Sequence, residues 1–184
     1  MSTQPDPKEE LIEHLPAMRA FAMSLTHNSA TADDLVQDTV VKAWGNFDKF
    51  KPGTNLRAWL FTILRNTYYS LYRKRRREVE DPDGVMAEQI SEKPEHDGHL
   101  AMADFREAFA QLGDDQREVL VLIGVEGFSY EEAAEMCGCA VGTIKSRTNR
   151  ARKRLAELMK IDDENALEMT DSATMAVVKG KPAA

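Results

Sequence analysis

Lys145, Arg147, Arg150, Arg152, Lys153 and Arg154 crowd around Ser146 and Asn149, and from Ala140 to Met159 the only acid is Glu157. A face that was merely solvated would mix signs. A run this one-sided suits phosphate neutralisation, which releases condensed counterions. Arg and Lys suit guanine edges, and Asn suits adenine. Thr143, at the start of the helix expected there, would meet a phosphate at the first backbone amides. A second basic block holds Arg57, Arg65, Arg73, Lys74, Arg75, Arg76 and Arg77 with no acid between 57 and 77. Phe61, Tyr68, Tyr69 and Tyr72 are interleaved with it. Rings that stack on bases beside cations that hold the backbone suit single-stranded nucleic acid. Asn66 could hydrogen-bond a base edge. Core burial is the competing role for Phe61, Tyr68 and Tyr72.

From Glu78 to Asp104, between these blocks, the acids are Glu78, Glu80, Asp81, Asp83, Glu88, Glu92, Glu95, Asp97 and Asp104, against Lys93 alone. The net charge of −7 therefore hides two basic segments separated by an acidic strip. That distribution says more about partners than the total does.

The elements that must position these side chains follow from spacing. Ser129 and Glu132 form a capping-box pattern. Ala133 and Ala134 give a face that another helix can approach, and Gly138 falls where a left-handed residue should end the helix. A new helix then starts near Val141, with Ile144, Thr148, Ala151, Leu155 and Leu158 on its apolar face. Together these make a helix-turn-helix whose second helix would enter a major groove. An ordinary helical hairpin with a solvated charged face is the alternative.

Upstream, a helix is expected over 8–27, with Leu11, Leu15, Met18, Ala22 and Leu25 on one stripe and Pro16 as a candidate kink. Ser29 or Thr31 would cap a second helix reaching about Phe47, which buries Leu35, Val36, Val40, Ala43, Trp44 and Phe47. Asp33, Asp34 and Asp38 near its start suit the helix dipole. With Gln37 they also make an exposed face fit for a basic partner. Residues 50–55 read as a Pro-Gly loop. A long helix over 56–77 should bury Leu56, Leu60, Ile63, Thr67 and Leu71. Residues 78–99 lack periodicity and read as a linker. A helix over 100–112 precedes one capped by Asp114, which buries Val119, Leu120 and Ile123. The N-terminal lead and the tail after Ile161 are expected to be disordered.

Several function classes recede. No nucleophile–base pair, phosphate loop or carboxylate constellation stands out, so no catalytic residue and no cofactor are expected. His96, His99, Cys137 and Cys139 could form a zinc site. The histidines fall in the linker, however, and the cysteines serve a tight turn as small apolar residues, so no metal is expected. There is no signal-peptide pattern and no apolar run near ~20 residues, so a cytoplasmic protein is expected.

Three segments together resemble the extracytoplasmic-function (ECF) sigma factors. Asp33-Asp34-Leu35-Val36-Gln37-Asp38-Thr39 with Ala43-Trp44 resembles that family's polymerase-binding helix. Leu56-Arg57-Ala58-Trp59-Leu60 with Arg65-Asn66-Thr67 resembles its promoter-melting segment. Gly142-Thr143-Ile144-Lys145-Ser146-Arg147 with Arg150-Ala151-Arg152 resembles its recognition helix. The run 127–135 with 137–142 is similar to the EcfG group of general stress response sigma factors in alphaproteobacteria.

The resemblance implies an all-α chain of two small helical domains joined by a flexible acidic linker. Sigma region 2 would span 8–77, the linker 78–99, sigma region 4 100–161 and the tail 162–184. It implies RNA polymerase core, promoter DNA and a NepR-type anti-sigma factor as partners, with no membrane and no small-molecule substrate. Asp33, Asp34, Gln37, Asp38 and Trp44 would bind polymerase. Asn55, Arg57, Arg65, Asn66, Tyr68, Tyr69, Arg73, Lys74, Arg75 and Arg76 would meet the minus-ten element. Thr143, Lys145, Ser146, Arg147, Asn149, Arg150 and Arg152 would meet the minus-thirty-five element. The rivals are a sigma-like decoy that binds an anti-sigma factor without DNA, and a simple helix-turn-helix regulator.

Overall fold

The computed structural model describes residues 7–79 and 100–160, and every element among them is helical. The chain divides into two units, Met1–Ile90 and Ser91–Ala184. The expected disordered lead and tail, nearly all of the linker, and His96 and His99 lie outside the described residues.

Among its described residues the first unit holds three α-helices and a 3-10 turn. Helix α1 (Pro7–Thr26) buries Leu11, Met18, Phe21, Ala22 and Leu25. Leu15 is half-buried, and Pro16 stands on the exposed side without ending the helix. His27 turns the chain with φ 54°. Helix α2 (Ser29–Trp44) is capped by Asn28, whose side-chain oxygen accepts from the Thr31 N–H at 2.9 Å. The expectation had put Ser29 or Thr31 there; an extended Asn28 is one of the best cap residues and leaves both inside the helix.

Helix α2 buries Ala32, Leu35, Thr39 and Ala43. Val36, Val40 and Phe47 are half-buried instead, and Trp44 is exposed. The helix also stops at Trp44 rather than Phe47, and a 3-10 turn, Phe47–Lys49, follows. Ala32, Thr39 and Ala43 keep most of this inner stripe small, and Leu35 is the large side chain buried on it.

Helix α3 (Leu56–Val79) begins where the Asn55 side-chain oxygen accepts from the Ala58 N–H at 3.1 Å. It buries Leu56, Leu60, Phe61, Leu64 and Thr67, leaves Ile63 half-buried and exposes Leu71. Phe61 stacks on Phe21 of α1 at 5.2 Å, which is worth about 0.5–1.5 kcal/mol beyond area burial. Lys42 Nζ donates to the buried Thr67 hydroxyl at 3.1 Å, tying α2 to α3.

The second unit runs α4 (Leu100–Ala110), α5 (Asp114–Leu120), a π-helical stretch Val121–Val125, α6 (Tyr130–Cys137) and α7 (Val141–Met159). Gly113, not Asp114, caps α5. The Gly113 N–H donates to Gln116 Oε1 at 3.2 Å, while Asp114 turns to Arg117. Arg117, almost wholly buried, also donates to the Ala110 and Leu112 carbonyls at the end of α4. Phe105, Phe109, Leu112, Val119, Leu120, Leu122, Ile144 and Leu155 form this unit's core. Ile123, expected inside, is half-buried because the wider π turn shifts the register after Leu120.

Candidate nucleic-acid interface

The turn between α6 and α7 sets the second basic segment. Ser129 Oγ accepts from the Glu132 N–H at 3.1 Å, and Glu132 Oε2 accepts from the Ser129 N–H at 2.9 Å. Gly138 ends α6 with φ 63° and ψ 38°. Helix α7 then packs through Ile144, Thr148, Ala151 and Leu155, all fully buried, with Leu158 half-buried.

That packing divides the polar residues of α7 into an open face and two flanks. Ser146, Asn149, Arg150 and Lys153 are exposed at i, i+3, i+4 and i+7, so they share the open face. Arg150 Nε donates to the Ser146 carbonyl at 3.3 Å, which lays the guanidinium along the helix. Lys145 stands on one flank with Nζ 5.7 Å from the Tyr130 ring centroid, and Arg152, half-buried, follows on the same side. Arg147 lies on the opposite flank, where Nη2 is 3.4 Å from Asp115 Oδ2 of α5. Arg154 pairs with Glu157 at 3.3 Å, so the helix's one acid is engaged toward its C-terminal end.

At the N-terminus of α7, Ala140 supplies no side-chain cap, Thr143 is half-buried, and a Cβ on Gly142 would meet nothing within 4 Å. The first amides of α7 therefore have no capping side chain. Lys153, absent from the site expectation, belongs to the open face. Its four-residue spacing from Asn149 was the available signal.

The first unit carries the other basic segment. Phe61 is fully buried, so its role there is core. Arg57 lies over the Phe61 ring at 5.5 Å. Arg65 lies over Tyr69 at 4.7 Å. The Tyr68 hydroxyl donates to the Leu25 carbonyl at 3.2 Å, and its ring meets Tyr69 at 5.2 Å and Tyr72 at 6.3 Å. Asn66, Tyr72, Arg73, Lys74, Arg75 and Arg76 are exposed, so a row of tyrosines anchored at one end leads to an exposed basic run. Asn55 is exposed at the foot of α3, its side-chain oxygen engaged as the cap. The 50–55 loop is rooted by Phe50, which is buried and meets Trp59 at 5.3 Å. Trp59 in turn meets Phe47 at 5.5 Å.

The acidic group on α2 separates in the structure. Asp34, Gln37 and Asp38 are exposed. Asp33 is exposed too, but Arg19 of α1 grips it, with Nε 2.6 Å from Oδ1 and Nη2 3.2 Å from Oδ2. Arg19 also donates to Ser29 Oγ at 2.9 Å. The hydrogen bond from Arg19, and then its charge, hold the Asp33 carboxyl below the ordinary value. This cross-helix pair, rather than the helix dipole, explains that acid, because Asp33 is already past the first turn. Trp44 is 53% exposed, with Lys8 Nζ 5.2 Å from its ring. Arg19 and Asp115 were legible in the sequence only as charges.

Comparison with known proteins gives two family matches: Sigma-70 region 2 over residues 11–78, and Sigma-70, region 4 over residues 102–155. The chain is 55% identical over 155 residues to the ECF RNA polymerase sigma factor EcfG of Rhodopseudomonas palustris, covering 84% of this chain and 86% of that one. It is 33% identical to the sigma factor CnrH of Cupriavidus metallidurans, over 82% of this chain and 85% of the other. Among solved structures, it is similar to the sigma factor RpoE of Bartonella quintana, crystallised with the anti-sigma factor NepR. The TM-score is 0.75 at 57% identity, covering 84% of this chain and 97% of that one.

Proposed function

The chain belongs to the extracytoplasmic-function sigma factors, and on that premise we propose how its residues divide the work of promoter selection. Sigma factors are transcription initiation factors rather than enzymes: they bring RNA polymerase core to promoter DNA. The exposed side of α2, with Asp34, Gln37, Asp38 and Trp44, docks on polymerase, and Asp33 holds α1 against α2 beneath it. The loop 50–55 and the outer face of α3 take the minus-ten strand as it melts. Tyr69 and Tyr72 stack on bases, Asn66 meets a base edge, and Arg73, Lys74, Arg75 and Arg76 hold phosphates. A base leaving the stack needs a pocket, and a loop rooted on Trp59 beside a basic helix supplies its wall.

Helix α7 reads the minus-thirty-five duplex. Ser146, Asn149 and Arg150 face the base edges, with Lys145, Arg152 and Lys153 toward the backbone. Thr143 and the uncapped amides of α7 receive a phosphate. The observation that carries this reading is the open face of α7, where exposed Ser146, Asn149, Arg150 and Lys153 share one stripe with no acid among them. The decoy leaves both basic segments without a purpose, and the simple regulator leaves α3's basic segment and the exposed side of α2 without one.

The similarity to EcfG and to a sigma factor crystallised with NepR supports a role in a general stress response under a NepR-type anti-sigma factor, in the cytoplasm. Among the described residues, no helix is long and apolar enough to cross a membrane. Co-purification with a NepR-type protein tests the partner, with retention expected on a sizing column. Asn149→Ala and Arg150→Ala test the reading face. Each should cost about 1–3 kcal/mol at one base position and relax preference there.

A further inference from the structure

Helix α5 opens with two acids, Asp114 and Asp115, and they do different things. Asp114 serves its own helix, pairing with Arg117 three residues on. Asp115 reaches across to α7, with Oδ2 3.4 Å from Arg147 Nη2. A helix start gains from either acid alone, so the dipole does not explain a contact with another element.

Arg147 stands three residues after Ile144 and four before Ala151, both fully buried. Neighbours at those spacings share a helix face, so Arg147 leaves from the shoulder of the packed side. Its side chain is only 26% exposed. Ser146, Asn149, Arg150 and Lys153 leave from the opposite, open face.

We infer that Asp115 is a positioning residue for the duplex-reading helix: it holds Arg147 on the α5 flank as a strut, so that this cation neutralises no phosphate. The inference rests on the duplex-reading role proposed above for α7. The pair sets affinity rather than sequence preference. A cation withheld from the backbone lowers affinity for every sequence alike and leaves discrimination to the open face.

The dependence of binding on salt counts phosphate contacts, at about 0.9 per contact in the slope of log K against log salt for duplex DNA. The test measures that slope by fluorescence anisotropy, with the full chain and a short random-sequence duplex starting at low salt. Wild type, Arg147→Gln, Asp115→Asn and the double variant are compared. Arg147→Gln should keep the wild-type slope and weaken binding by no more than about fivefold, the worth of a surface ion pair. Asp115→Asn should steepen the slope by about one contact, because the released guanidinium reaches a phosphate. The double variant should return to the wild-type slope.

A slope flattened by about one contact in Arg147→Gln would overturn the inference, since Arg147 would already be on the backbone. So would an Asp115→Asn slope that is unchanged, or one that stays steep in the double variant. If Arg147→Gln loses helical circular dichroism, Arg147→Met keeps the aliphatic stem and takes its place. Wild type that binds duplex with no salt dependence would contradict the duplex-reading role itself, and the strut with it.

Discussion

Gly138 is the residue on which the second unit turns. Its φ of 63° is open to glycine and costs other L-residues roughly 1–2 kcal/mol. Gly138→Ala should destabilise the second unit by about that much, while Gly138→Asn costs less, because Asn tolerates the left-handed region. Amide hydrogen exchange across α6 and α7 checks it; tryptophan fluorescence does not, since Trp44 and Trp59 both lie in the first unit.

Arg19 and Asp33 set a pH dependence. The folded Asp33 carboxyl sits below its ordinary 3.8, so its contribution to stability is complete above the usual carboxylate range. That contribution is lost as pH falls through the folded value. A carbon-detected NMR titration should find Asp33 titrating low in wild type and near the ordinary value in Arg19→Gln. An unchanged Asp33 in the variant would remove Arg19 as the cause.

At the scale of elements, α3 does two jobs with adjacent stripes. Phe61 lies in the core and Tyr72 at the surface, although the sequence interleaves both with one basic block. Phe61→Ala should cost about 3–5 kcal/mol, read by thermal unfolding of the first unit. Tyr72→Ala should leave that transition within about 0.5 kcal/mol and lower opening of promoter DNA, read by permanganate reactivity of unpaired thymines. The opposite pattern would exchange their roles.

Residue spacing made the existence of the described α-helices legible, because buried residues recur with the helical period, but not the 3-10 turn Phe47–Lys49 or the π stretch Val121–Val125. It made Ser129, Glu132 and Gly138 legible as well, since their chemistry is local. Asn28 was missed because Ser29 and Thr31 are equally good caps by type. The outward turn of Trp44 was missed because burial there depends on how closely Ala32 and Ala43 admit the neighbouring helices. Asp33–Arg19 and Asp115–Arg147 were beyond reach for the same reason: each joins separate helices, and no spacing within one helix reports it. On α7, spacing from Asn149 and Arg150 puts Lys153 on the open face, but spacing within one helix does not show that Asp115 of α5 engages Arg147.

At the scale of the whole molecule, function needs both units. The two promoter elements of this family lie roughly one and a half duplex turns apart, about 50 Å. The roughly 22 residues expected as a linker, 78–99, would reach about 70–80 Å if extended but only about 25 Å as a relaxed coil. With a net charge of −7, the free chain should bind promoter duplex weakly at physiological salt. Tight sequence-specific retardation of the chain alone in a gel shift would contradict that.

The most direct measurement is run-off transcription on a promoter library with core polymerase, with and without the chain. New start sites should appear with the chain, sharing one short sequence upstream of the start and a second about one and a half turns further away. Start sites identical to those of core polymerase alone would contradict the account.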